Sequence, residues 1–188
     1  MAEQETSGEQ SGGRRGWVVL VVVAVVLGGW QAAMFAVRRY VDTEIEKNVG
    51  HELPAFDLVD LAGKHWTRDS VAGRTVVLNF FRSYCQSCQI EAPAVRRLAS
   101  TVDPARVVVL GVMMDRVEGI PPEVTQRTLE EFGFQHPVLM ADAAFVDAFH
   151  GAGWSHVTPV TYIADGEGRI VHALRGHQSF DVLLAAVR

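Results

Sequence analysis

The run TVVLNFFRSYCQSCQIEAPAVRRLAS, residues 75–100, decides the fold. Its opening, Thr75 to Phe81, is mostly apolar and rich in β-branched and aromatic residues, the composition of a strand buried on both faces. Two cysteines follow at once as Cys85-Gln86-Ser87-Cys88, and from Gln86 to Ser100 the pattern turns helical. A second buried strand is predicted over Arg106 to Val112 (RVVVLGV). Strand, helix and strand in this order make a βαβ unit, whose crossover is right-handed in nearly all proteins.

Working outward, the alternation continues. Pro121 to Phe132 reads as a second helix, with proline early in the first turn where a missing N–H costs little. A third helix starts at Asp142 as N-cap and ends before Gly151. Val160 to Ala164 and Arg169 to Leu174 form a hairpin across Asp165, Gly166, Glu167 and Gly168, and Ser179 caps a last helix ending at Val187. The expected architecture is α/β, a central mixed β-sheet with helices on both faces. It occupies residues 51–188, about the size of one domain.

The chain is 48% hydrophobic, and the apolar excess is concentrated near the amino terminus. Gly16 to Val37 carries no charge, and a helix over residues 17–37 would be roughly 32 Å long, enough for a hydrocarbon core of about 30 Å. Two other readings compete. A cleaved signal peptide has a shorter apolar stretch of about 7–15 residues, and the best cleavage site here, after Ala36, puts Met34 where a small residue is needed. A core helix would not be flanked by Arg14 and Arg15 on one side and Arg38 and Arg39 on the other, with Trp17, Trp30 and Tyr40 as interfacial anchors. The segment therefore reads as an uncleaved transmembrane signal anchor. Residues 1–16, dominated by Glu, Gln, Gly and Ser, form a disordered tail, and 38–50 a juxtamembrane stalk with Gly50 as its stop. The arginine pairs tie the charge count, so orientation comes from the chemistry below. A net charge of −5 without a basic cluster argues against nucleic acid as partner.

The chain has only two cysteines, placed directly after a buried strand and at the start of a helix. Free N–H groups and the helix dipole there stabilise a thiolate, which makes Cys85 the attacking sulfur. Cys88, one turn further in, is placed to resolve a mixed disulfide. A zinc site would need histidines, and none of the seven falls at finger spacing. A static disulfide closing two residues would stabilise little.

Residues 51–88 (HELPAFDLVDLAGKHWTRDSVAGRTVVLNFFRSYCQSC), Gln89 to Pro93 (QIEAP) and Val157 to Ile170 (VTPVTYIADGEGRI) together resemble the TlpA/ResA-like branch of the thioredoxin superfamily, a redoxin-type domain. The resemblance implies a thioredoxin-like fold and assigns roles. Pro159 would be the cis-proline facing the disulfide, with the backbone at Thr158 open to pair with an extended substrate; otherwise it is an ordinary edge-strand proline. Glu91, one helical turn past Cys88, could exchange protons with the buried thiol; otherwise it is a solvated surface residue. Pro93 removes the bond to the Gln89 carbonyl. Three positions depart from the pattern. Tyr84 replaces the usual Trp beside the nucleophile and is the expected substrate contact there, Asn79 replaces the buried acid of ordinary thioredoxins, and Gln86 and Ser87 place no cation between the cysteines. The last favours a reductant or mild exchanger over a strong oxidant.

These readings predict a thiol-disulfide oxidoreductase, needing no cofactor or metal, in the cytoplasmic membrane with its domain on the periplasmic or extracellular side. Its partners would be the lipid bilayer, a membrane thiol donor and disulfide-containing proteins, of which the resemblance suggests apocytochrome c. Two alternatives belong to other classes. A peroxiredoxin-like thiol peroxidase shares the fold, but wants Thr three residues before the peroxidatic cysteine, where Arg82 stands. A copper carrier would use Cys85, Cys88 and His156.

Overall fold

The computed structural model describes residues 12–188, so the tail expected over residues 1–11 lies outside the described residues. Two compact units divide between Asp42 and Thr43. Of the described residues, the first holds the long helix α1 (Gly12–Glu46) as far as Asp42, and residues 43–46 of that helix are counted with the second. Every side chain from Trp17 to Tyr40 is exposed. A core helix buries a stripe along one side; this one buries none over its apolar length and is long and apolar enough to cross a membrane. Helix extends beyond the expected limits at both ends. Residues 12–16, placed in the tail, are helical, and so is most of the expected stalk, because no Pro or Gly interrupts residues 30–46. The chain turns at Gly50, with φ of 90°.

The second unit, Thr43–Arg188, holds two sheets. A hairpin pairs β1 (Asp57–Val59) with β2 (His65–Thr67). The main sheet contains β3 (Thr75–Phe81), β4 (Val107–Met113), β5 (Val138–Met140), β6 (Val160–Ala164) and β7 (Ile170–Arg175), in the spatial order β5-β4-β3-β6-β7. The β3–β4 and β4–β5 pairs are parallel, while β3–β6 and β6–β7 are antiparallel, so the sheet is mixed as expected. Helix α2 (Gln86–Thr101) joins β3 to β4, α3 (Pro122–Phe132) joins β4 to β5, and the short α4 (Ala143–Asp147) lies between β5 and β6. Helix α5 (Phe180–Ala186) ends the chain, capped by Ser179.

The central strand β3 explains the two-layered core. It is buried from Val76 to Phe81, and its side chains alternate between the faces. Val77 packs with Val95 and Leu98 of α2 and Leu183 of α5, and Phe81 packs with Cys85, Cys88 and Ala92, joined by Phe132 of α3. Phe80 enters an aromatic group on the opposite face, with ring centroids 5.7 Å from Phe145, 5.1 Å from Phe149 and 5.6 Å from Tyr162. Burying each such side chain contributes about 1.5–3 kcal/mol. β3 thus ends, between these two layers, at the turn that carries the cysteines.

Candidate active site

Residues Arg82 to Cys85 turn the chain from β3 into α2. Tyr84 adopts a left-handed backbone with φ of 58°, unusual for a residue with a side chain, and its ring is 75% exposed. Cys85 follows as the N-cap of α2 in an extended conformation, and its Sγ accepts the Cys88 N–H at 3.1 Å. A helix start leaves such N–H groups unpaired, so this sulfur takes the place usually held by a Ser or Asp oxygen. The pair is oxidised: Cys85 and Cys88 form a disulfide with a Cα–Cα distance of 5.2 Å. Cys85 is 7% and Cys88 3% exposed, so both sulfurs sit in the wall of the molecule rather than projecting from it.

Across from the turn, the Thr158–Pro159 peptide bond is cis, and the Thr158 carbonyl oxygen lies 3.6 Å from Cys85 Sγ. An oxidised sulfur carries no proton, so this is a contact in the disulfide form and can become a hydrogen bond only in the dithiol form. Pro159 is buried and Thr158 half-buried. The segment lies where β6 begins, and β6 runs directly beside β3, with Val160 opposite Phe80.

Glu91 is not a surface residue. It is 2% exposed, and both carboxylate oxygens are held: Oε2 accepts from Asn79 Nδ2 at 2.8 Å and Oε1 from the Gln178 N–H at 3.0 Å. Burial pushes its carboxyl up to about 7, against the two hydrogen bonds, which favour the charged form. Asn79 also donates to Thr161 Oγ1 at 2.9 Å, so one amide ties α2 to β6. The residue replacing a buried acid is therefore the hydrogen-bond partner of another buried acid. Near neutral pH, Glu91 can gain or lose a proton one turn from Cys88.

His136 is half-buried and His150 buried, and loss of hydration lowers each to about 4 and leaves them neutral at pH 7; His150 packs edge-on against Phe80 in the aromatic group. His156 is exposed and stacks on Trp154. No group of three His, Cys, Asp or Glu side chains suited to hold a metal ion occurs among the described residues, so the copper-carrier alternative lacks its ligand set there.

Sequence reasoning missed a second buried group behind the turn. Asp115, fully buried just after β4, accepts from the Ser83 N–H at 2.7 Å, from Ser83 Oγ at 2.6 Å and from Thr125 Oγ1 at 2.7 Å. The available signal was its position: an acid directly following a buried parallel strand stands where α/β folds build their sites.

With this geometry in view, comparison with known proteins is informative. The AhpC/TSA family profile matches residues 49–173. Thiol-disulfide oxidoreductase ResA from Bacillus thuringiensis is 24% identical over 164 residues, covering 87% of this chain and 90% of that protein. ResA from Geobacillus thermodenitrificans is 27% identical, covering 85% and 84%. Among solved structures, the thioredoxin domain of a thiol-disulfide oxidoreductase from Bacteroides vulgatus superposes with a TM-score of 0.59 at 22% identity, covering 74% of this chain and 98% of that one. StoA from Bacillus subtilis gives 0.61 at 15%, covering 72% and 97%, and both likenesses concern the thioredoxin-like fold alone. The chain belongs to the AhpC/TSA family, in which its Cys85–Cys88 pair makes it a ResA-like thiol-disulfide oxidoreductase.

Proposed function

We propose that the protein is tethered by residues 17–37 to the cytoplasmic membrane and reduces or exchanges disulfides of extracytoplasmic proteins. The observation that carries this reading is the joint placement of the Cys85–Cys88 disulfide, the Thr158 carbonyl at 3.6 Å from Cys85 and the buried Glu91 behind Cys88. In the reduced form the Cys85 thiolate attacks one sulfur of a substrate disulfide. That S–S bond breaks, a mixed disulfide forms through Cys85, and the second substrate sulfur leaves as a thiolate that takes up a proton. Glu91 then accepts the Cys88 proton. The Cys88 thiolate attacks Cys85 Sγ, the substrate's remaining sulfur departs as a thiolate that takes up the proton held by Glu91, and Cys85–Cys88 is again a disulfide. Two electrons have moved to the substrate, and a dithiol donor in the membrane returns them.

Tyr84 and the Thr158–Pro159 segment form the docking edge. Proline has no N–H, so an extended substrate strand meets the backbone at Thr158 without competition from that position. The oxidised fold holds its disulfide at a helix N-terminus without an added cation at Gln86 or Ser87, which favours reduction as the direction. Apocytochrome c is the specific substrate that the TlpA/ResA resemblance offers.

Two measurements test this. The full-length chain in detergent micelles, with dithiothreitol as donor, should accelerate reduction of insulin disulfides and of disulfide-bonded apocytochrome c, and Cys85→Ser should abolish the acceleration. Equal rates with and without the protein would sink the reading. For orientation, a membrane-impermeant maleimide added to intact reduced cells should label Cys85; labelling only after lysis would place the domain inside.

A further inference from the structure

Asp115, its partners Ser83 and Thr125, and Thr128 beyond Ser83 form a buried polar group that the exchange reaction leaves unused. Ser83 is fully buried, and Thr125 and Thr128 of α3 are 7% and 8% exposed. Ser83 Oγ lies 2.6 Å from Asp115 Oδ2 and 2.7 Å from Thr128 Oγ1. A serine hydroxyl has one proton, and the Ser83 hydroxyl gives it to Asp115 Oδ2. The order that satisfies every atom is therefore Thr128 donating to Ser83 and Ser83 donating to Asp115. The Ser83 N–H and the Thr125 hydroxyl supply the remaining donors to the carboxylate. Three of these four hydrogens point at the Asp115 carboxylate, which accepts from all three.

We propose that Asp115 is a positioning residue and a fixed anion for this site: it locks Ser83, hence the Tyr84–Cys85 turn, and opposes thiolate formation at Cys85. The assignment rests on the thiol-disulfide reading above and deepens it. Ser83 is held by both its backbone and its hydroxyl, immediately before the one described residue with a side chain in the left-handed region, so the clamp acts where the turn is least favoured locally. Only Tyr84 stands between Ser83 and Cys85, which puts the carboxylate on the order of 10 Å from Cys85 Sγ. Cys85 belongs to a buried apolar cluster with Phe81, Cys88, Ala92, Met113, Phe132 and Val138, and Ser83 and Asp115 are fully buried, so the local dielectric is low.

The other charged or titratable groups of the elements meeting there are Arg82 and Tyr84 in the turn after β3, Arg116 after Asp115, Glu91, Arg96 and Arg97 on α2, and Glu123, Arg127, Glu130 and Glu131 on α3. Of these, Glu91 is turned to Asn79 and the Gln178 N–H. The anion behind the turn works against the α2 N-terminus, which favours the Cys85 thiolate. Destabilising the thiolate destabilises the reduced pair relative to the disulfide, so Asp115 makes the pair a better electron donor.

The test is the titration of Cys85 in the reduced full-length chain, followed by thiolate absorbance and by the pH dependence of its alkylation with iodoacetamide. Asp115→Asn removes the charge and keeps the shape. It should move the midpoint down by about one pH unit, the size expected for unit charges at this separation and an effective dielectric near 20. It should also shift the glutathione equilibrium of the pair toward the dithiol. Thr125→Val keeps the charge and loosens the clamp, and should give no downward shift. Asp115→Ser, which leaves room for a water between Ser83 and Thr125, is the second charge-free variant and carries the same expectation. A midpoint that stays or rises in a folded charge-free variant would overturn the assignment. So would failure of both variants to fold, which would make Asp115 a requirement of the fold alone. Absent insulin reduction by the unsubstituted chain would sink the exchange reading while leaving this titration readable.

Discussion

Glu91 shows what spacing in the sequence carries and what it omits. Its place one turn after Cys88 was legible, but its burial was not, because the group that covers it, the Gln178 N–H, arrives 87 residues later. Asn79 was legible only as a missing acid; its double hydrogen bond to Glu91 and Thr161 depends on β3 and β6 lying side by side. Asp115 was not singled out, since Ser83, Thr125 and Thr128 are polar residues that any surface could hold. Replacing Glu91 with Gln keeps the shape and removes the proton acceptor. Collapse of the mixed disulfide, followed by rapid mixing, should then slow by about 100-fold at pH 7.5, the low end for a general base. The variant should also lose the inflection near pH 7 that its carboxyl gives the unsubstituted protein. An unchanged rate and profile would remove Glu91 from the resolving step.

At the scale of elements, the parts legible in the sequence are those whose burial is written in one run. β3 falls on the residues expected, 75–81, and β4 is displaced by one residue, to Val107–Met113. α2 begins at Gln86 because Cys85 caps it. The three-residue strands β1, β2 and β5 went unread, since nothing in so short a run distinguishes them from loop. They exist through their neighbours: β1 pairs with β2, and β5 adds to the edge of β4. Helix α2 serves both the site and the core, and its two ends can be separated. Leu98 is fully buried in the group with Val77, Val109 and Leu183, apart from the group around the cysteines. Leu98→Ala should cost about 2–5 kcal/mol in denaturant unfolding while leaving the alkylation rate of Cys85 unchanged. A reactivity loss as large as the stability loss would show that the helix transmits the defect to the site.

For the whole molecule, three desolvated groups set opposing dependences on pH. Glu91 keeps its proton to about pH 7 in the fold, whereas an unfolded Glu releases it near 4.5, so the stability it adds at low pH is lost as pH rises to about 7. His136 and His150 stay neutral down to about 4, whereas an unfolded His takes a proton near 6.5, so the stability they add is present above 6.5 and lost as pH falls to about 4. Between pH 4.5 and 6.5 two histidines oppose one carboxyl. These groups should therefore make the oxidised protein more stable with rising pH, by about 1.4 kcal/mol per unit, and Glu91→Gln should roughly double that slope. Urea unfolding in micelles at several pH values reads both, and a slope unaffected by Glu91→Gln would contradict the assigned burial effect. The proposed tethering and thiol exchange meet in the covalent intermediate that should form when resolution is blocked. The direct measurement is therefore to express full-length Cys88→Ala in cells, quench the thiols with acid and separate membrane proteins by diagonal non-reducing and reducing electrophoresis. Partners should appear joined through Cys85, be released by dithiothreitol, and vanish in the Cys85→Ala/Cys88→Ala double variant. A Cys88→Ala protein that is present in the membrane with a reactive Cys85 and captures nothing would contradict disulfide exchange as its function.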